Sequence, residues 1–310
     1  MKARATTVAI IVASAVMTSA VMTSAVAMGA PSASADSVCS PWTLGTVASG
    51  FGTLENLAFD DRGSLLLSET SLLGTGSIRS LQPDGTSGVV VPDVTSPGGL
   101  VTDGDLLYFT TGNGTAAGLF DLHDGTVDTV DVLAGERSTV ARGLVMPNGL
   151  VALGNGDLVV TRNLGATTGI TRIHAGEPDS AETVRTDLGT ANGIASDGDA
   201  VYVANTFEPA LSIAVLDARN LAGDARRIPV DGFGPFTASD DMTVGPDGQI
   251  YLAQNLAGRV LRIDPESGSS CVIGTGMPLT TSVEFGGPGW DRNSLYATSF
   301  DGTVRQLTPP

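Results

Sequence analysis

Lysine is almost missing from this sequence of 310 residues; the one present, Lys2, stands at its start. The chain sets 33 acidic residues against 16 basic ones, for a net charge of −17, and Lys2 and Arg4 both fall in the first 35 positions. So acidic a chain has little to offer a nucleic-acid backbone or an anionic membrane surface, so neither is expected as a partner. Histidine is scarce too. His123 sits in a Leu-His-Asp-Gly turn and His174 ends a strand pattern, so both read as structural and not as a catalytic pair. With two tryptophans and 5% aromatics, the chain is poorly equipped to stack a planar quinone cofactor, which argues against a quinone-dependent dehydrogenase. Trp290 reads as packing. No Gly-x-Ser-x-Gly elbow carries its serine, and neither a phosphate loop nor a dinucleotide fingerprint follows a strand. Beyond residue 35 no apolar run reaches the roughly 18 residues that span a bilayer.

What the start does contain is an export signal. Lys2 and Arg4 precede an apolar stretch over Thr7–Gly29, with Val-Met-Thr-Ser-Ala repeated at 16–20 and 21–25, and Ala33-Ser34-Ala35 offers a small-x-small cleavage site. Residues 1–35 therefore read as a signal peptide cut after Ala35, and 36–310 as one secreted, extracellular domain free of the membrane. Cys39 and Cys271 are the only cysteines. In an oxidising compartment such a pair implies one disulfide.

The mature part repeats one phrase six times. A polar or small residue leads an apolar triplet, a Gly/Asp turn and a second apolar strand, as in Glu55-Asn56-Leu57-Ala58-Phe59-Asp60-Asp61-Arg62-Gly63-Ser64-Leu65. Later copies begin at Gly98, Asn148, Asn192, Asp240 and Thr281, and each occupies about 45 residues, the length of a four-stranded propeller blade. Helical periodicity is absent apart from a turn near Leu216–Ala222. These features predict an all-β, six-bladed β-propeller, with Thr43–Val47 forming the outer edge of the sixth blade so that both chain ends close the ring. Pairing the ends hides strand edges that would otherwise invite association, and a monomer is expected.

The phrase places Glu55, Gly98, Asn148, Asn192, Asp240 and Thr281 at equivalent positions around one mouth of the central channel. Two carboxylates and two amides form a hard-oxygen set suited to a divalent cation, most readily Ca²⁺. The bland alternative is that Asn-Gly, Glu-Asn and Asp-Asp shape turns, but a turn does not call for Glu.

The phrases around Glu55, Asn148-Gly149-Leu150, Asn192-Gly193-Ile194, Asp240-Asp241-Met242 with Pro246-Asp247-Gly248, and Phe285-Gly286-Gly287 resemble the senescence-marker-protein/gluconolactonase/luciferin-regenerating-enzyme family. The resemblance runs from about Leu44 to Leu307. It implies a divalent cation held by Glu55, Asn192 and Asp240, with Asn148 as a further or substrate-side ligand, and hydrolysis of lactones. The cation would polarise the ester carbonyl, and Asp240 or Asp241 would take a proton from water. Three positions depart from the family pattern. Asn56-Leu57 replaces Gly-Pro after the Glu, Asp241 replaces a Gly, and Met146 stands where sugar lactonases carry Arg, which implies a preference for apolar lactones.

Two functions remain open from the residues alone. One is a secreted, divalent-metal-dependent hydrolase of lactones or related cyclic esters acting on a small molecule. The other is a non-catalytic propeller that binds a protein, glycan or small ligand outside the membrane. The export reading has a direct check: the protein recovered from the medium should begin at Asp36 on N-terminal sequencing.

Overall fold

A computed structural model describes residues 39–70 and 75–310; the expected leader and its cleavage point lie outside the described residues. The six sequence phrases become six four-stranded antiparallel sheets. The inner strands are Thr53–Phe59, Leu100–Asp103, Leu150–Ala152, Ala191–Ser196, Ser239–Val244 and Thr280–Phe285, which number blades 1 to 6. In blades 1 to 5 the chain runs from the inner strand outward in simple hairpins.

Each sheet is covered on both faces by its neighbours, which explains why the second strands read as apolar triplets and do not alternate. In Leu65-Leu66-Leu67 all three side chains are buried. Leu66 faces Leu100 and Leu107 of blade 2, while Leu65 and Leu67 face Tyr296 and Val304 of blade 6. One such apolar cluster fills each of the six gaps between adjacent blades. The core is thus a ring of wedges, and truncating one of its leucines to alanine costs about 2–5 kcal/mol. Trp290 belongs to a wedge: its indole packs on Phe59 and Tyr296, and its Nε1 donates to the Gly63 carbonyl at 2.9 Å.

The ring closes as the sequence predicts. Thr43–Ser49 pairs antiparallel with Thr303–Thr308 as the outer strand of blade 6, from Thr43 opposite Thr308 to Ser49 opposite Thr303. Cys39, just before this strand, is bonded to Cys271 in the outer strand of blade 5, with Cα atoms 5.5 Å apart. Beside the bridge, Trp42 N–H donates to the Ile273 carbonyl at 2.8 Å, and the Trp42 ring packs on Tyr251. The disulfide therefore fixes the closing strand to the neighbouring blade as well as to its own.

One expectation is corrected. The segment near Leu216–Ala222 is not helical: Ser212–Asp217 is a strand, and the Asp217 carboxylate then caps a turn by accepting the Arg219 N–H at 2.8 Å. Apolar residues at helical spacing there serve the blade wedge instead, with Leu216, Ala218 and Leu221 in one cluster. The short helices lie elsewhere, at Thr115–Leu119 and Gly234–Thr237.

Because the bridge closes a loop of 232 residues, its main effect is on the unfolded chain. Reducing it, or replacing Cys271→Ser, should remove about 2–5 kcal/mol of stability. Differential scanning calorimetry should register this as a fall in Tm of roughly 5 °C or more.

Candidate functional site

A side chain on the second strand of one blade positions the head of the next. Ser68 Oγ donates to the Gly98 carbonyl, Thr110 Oγ1 to the Asn148 carbonyl at 3.1 Å, and Thr161 Oγ1 to the Asn192 carbonyl. With its main-chain oxygen held from the side, each head residue turns its own side chain toward the axis. Blade 6 uses a variant: Thr281 is itself buried and donates to the Leu54 carbonyl of blade 1 at 2.9 Å. The head position there is structural, and at Gly98 there is no side chain.

The other four heads meet. Glu55, Asn148, Asn192 and Asp240 all line one axial cavity of about 520 Å³, with Met146 in its wall. Asn148 Nδ2 lies 3.5 Å from Glu55 Oε1, which also accepts from Asn113 Nδ2 at 2.9 Å. Asp240 Oδ2 accepts from Asn255 Nδ2 at 3.1 Å. Burial pushes the Glu55 carboxyl up to about 7, against the pull of its amide donors. Asp240 is raised well above the usual carboxylate range, first by burial and then by the charges of Glu55 and Asp241. Two carboxylates that repel each other in a buried space call for a cation or a shared proton.

A second ring was missed at the sequence level. Thr70, Asn113, Asn163, Thr206, Asn255 and Phe300 come one from each blade, at or just beyond the end of its second strand, and all line the same cavity. The available signal was Asn recurring beside the strand ends, as in Thr161-Arg162-Asn163 and Ala253-Gln254-Asn255. Three buried amide oxygens in the cavity, those of Asn113, Asn163 and Asn192, accept no hydrogen bond. Leaving a buried acceptor unpaired costs about 1–3 kcal/mol.

Asp241 points elsewhere. It follows Asp240 on an extended strand whose pairing slips between Ser239 and Met242, and successive side chains on a strand take opposite sides. Its Oδ2 accepts from Asn56 Nδ2 at 2.5 Å and Ser282 Oγ at 2.8 Å, and its Oδ1 lies 3.3 Å from Ile194 N. These bonds tie blades 1, 4, 5 and 6 together at a waist in the channel. The other waist positions are Gly99, Gly149 and Gly193, where a Cβ would collide with the next blade's main chain. Asp241 therefore faces a separate axial cavity of about 170 Å³ and does not reach the one lined by Asp240. Glu284 lines that second cavity too; both its oxygens accept from Thr243 Oγ1, and burial lifts its carboxyl to about 7. His123 and His174 lie outside both cavities.

With this geometry in hand, the comparisons with known proteins are specific. Residues 59–301 match the family described as the SMP-30/gluconolactonase/LRE-like region. The chain belongs to this family. Among solved structures it is similar to the gluconolactonase XC5397 of Xanthomonas campestris, at 19% identity and a TM-score of 0.68, over 86% of this chain and 89% of that one. It is also similar to a calcium-binding regucalcin of Agrobacterium tumefaciens, at 18% identity and a TM-score of 0.67, over 87% and 95% of the two chains. A luciferin-regenerating enzyme aligns at 15% identity and a TM-score of 0.63, over 86% and 95%. At these identities the structures speak for the fold alone. A sequence search of curated proteins finds no match.

Among the described residues no three His, Cys, Asp or Glu side chains cluster as a metal set. The axial cavity offers a mixed donor set instead, two carboxylates with the Asn192 and Asn148 amides, and the unpaired Asn192 oxygen makes it suitable for a hard cation.

Two measurements follow from these side chains. Calcium at about 100 times its Kd should stabilise the protein by about 2.7 kcal/mol, visible as a Tm rise that chelation reverses and that Asn192→Ala diminishes. An unchanged Tm would remove the cation from the account. In the lower cavity, the raised Glu284 carboxyl favours folding below pH 4.5 and that contribution is lost as pH climbs through about 7. Glu284→Gln should therefore raise stability at pH 8 by about 1–3 kcal/mol and change it little at pH 5, in parallel denaturant titrations.

Proposed function

We propose that this protein is an extracellular, calcium-dependent hydrolase of lactones or related cyclic esters, working as a monomer on a small-molecule substrate. The observation that carries the reading is the meeting of Glu55 and Asp240 with unpaired amide oxygens in one buried axial cavity. Family membership, which includes gluconolactonases, supports it. The disulfide is in keeping with export to an oxidising compartment.

Glu55, Asn192 and Asp240 would hold the cation, with Asn148 beside Glu55 as a further ligand or a contact to substrate. When bound, a divalent cation supplies Lewis-acid polarisation of a carbonyl and stabilises a developing oxyanion. The side chains of the cavity do the rest. Asn113 and Asn255 each donate to one carboxylate oxygen and so fix the plane of Glu55 and Asp240. Asp240, buried and raised by its neighbours, is the group placed to accept a proton from an attacking water. Asp241 has no part in this step, since its two oxygens are committed to Asn56, Ser282 and Ile194 across the waist.

The two adjacent aspartates give the test. Asp240→Asn should lower kcat against a panel of lactones by at least a thousandfold, because it removes both a charged ligand and the base. Asp241→Asn should leave kcat within about tenfold, its loss appearing instead as a lower Tm from weakened waist bonds. Equal losses of kcat in both variants would overturn the assignment. A folded, calcium-loaded protein that turns over no lactone or ester would favour a non-catalytic binding propeller.

A further inference from the structure

The cavity floor and its mouth differ in chemistry. The floor holds Glu55, Asp240 and a ring of amides, whereas the mouth on the side of blades 4 to 6 is apolar and open. Phe207, Leu256 and Phe300 line the cavity and are 40%, 53% and 37% exposed. The patch continues outward through backbone contacts. Leu256 N–H donates to the Thr237 carbonyl of the short helix, whose Phe236 ring lies tilted against that of the preceding Phe233 with centroids 5.4 Å apart, and Phe236 is 78% exposed. Gly234 lets that helix lie directly on the main chain of Phe207 and Glu208. Leu279 N–H donates to the Asn255 carbonyl and Phe300 N–H to the Leu279 carbonyl. Pro97, Met146 and Leu164 add further apolar surface to the cavity wall.

An apolar patch of this size, continuous with a binding cavity, marks a contact surface. Its charge narrows the occupant further. Among the described residues lining the cavity none is Arg, Lys or His, so an anionic group on the substrate finds no cationic side chain to pair with. A polyhydroxylated arm would set its hydroxyls against phenyl and leucine side chains at the mouth, losing hydrogen bonds to water without replacement.

We propose that the substrate is a neutral lactone or cyclic ester bearing an unbranched apolar arm, with the ring on the polar floor and the arm lying over Phe207, Leu256 and Phe300. This inference rests on the hydrolase reading above. Full burial of a methylene is worth about fourfold in an equilibrium constant, and a half-open rim is worth about twofold.

The experiment uses the calcium-loaded protein and γ-lactones whose alkyl arms run from two to eight carbons. For the native chain kcat/KM should climb about twofold per methylene, on the order of 50-fold over the series. In Phe207→Ser/Phe300→Ser that ratio should fall to about fivefold or less, while Leu133→Ser, an exposed apolar residue away from the cavity, should keep it. The exposure of the rim side chains lets the double variant fold, which its Tm reports. Calorimetric binding of the matching γ-lactams, which resist hydrolysis, reads the arm independently of turnover. Lactones hydrolysed with a flat chain-length dependence, or a slope unchanged by the double variant, would overturn the apolar arm and leave the hydrolase. Lactam binding that strengthens with arm length, beside no turnover of any lactone, would keep the arm and overturn the reaction.

Discussion

The site depends on hydroxyl groups that three successive blades each lend to the next. Ser68, Thr110 and Thr161 occupy the same place on successive second strands, directly after an apolar triplet, and each holds the carbonyl at the head of the following blade. The bond does two things at once. It satisfies a main-chain acceptor at the crowded axis, where an unpaired one is costly, and it fixes which way the head side chain projects. Asn148 and Asn192 are therefore turned into the cavity that Glu55 and Asp240 also line, without either strand having to bend. Blade 4 has Ala204 and blade 5 has Ala253 at the equivalent position. The contacts there shift to the main chain of Asp240, against which Gly193 lies, and to Thr281, which reaches around to Leu54.

The waist below the site follows from the same crowding. Three of its six positions are glycine because the next blade's backbone leaves no space for a Cβ. The remaining three, Asn56, Asp241 and Ser282, are joined by hydrogen bonds centred on one carboxylate. A side chain that departs from a glycine pattern is easily read as chemistry. Here it is a tie across four blades, and it places the two neighbouring aspartates in different cavities. The waist also means that the cavity above it has one open mouth, so the composition of that mouth governs what enters.

Much of the architecture was legible because it is periodic. Six phrase heads gave six blades, the apolar triplets gave strands buried on both faces, and the positions of Cys39, just before one outer strand, and Cys271, on the outer strand of the adjacent blade, agree with the bond between them. The convergence of Glu55, Asn148, Asn192 and Asp240 was legible for the same reason, since equivalent positions of a ring share a radius. What escaped reading lies where the period is broken. Asp241 differs from Asp240 only by the alternation of a strand that slips in register between Ser239 and Met242. Asn113, Asn163 and Asn255 stand at the ends of second strands, where intervening residues such as Gly112 vary from blade to blade. The turn near Leu216 mimicked a helix because one blade wedge takes three apolar residues from a strand end and the turn that follows it.

The axial channel gathers four buried or half-buried carboxylates, Glu55, Asp240, Asp241 and Glu284, and burial raises every one of them. Such a concentration works against folding unless partners offset it. Below the waist, hydroxyl, amide and main-chain donors supply those partners from the chain itself, at Thr243, Ser282, Asn56 and Phe285. Above it they are incomplete: Asn113, which donates to Glu55, and the neighbouring Asn163 and Asn192 leave their amide oxygens buried and unpaired. The lower carboxylates are thus satisfied within the protein, whereas the upper set shares its cavity with buried amide oxygens that have no partner. A group that carries positive charge and takes oxygen ligands relieves the repulsion and the unpaired oxygens together. This asymmetry, more than the number of acids on the axis, separates the end of the channel that leaves polar groups unpaired from the end that holds the blades together.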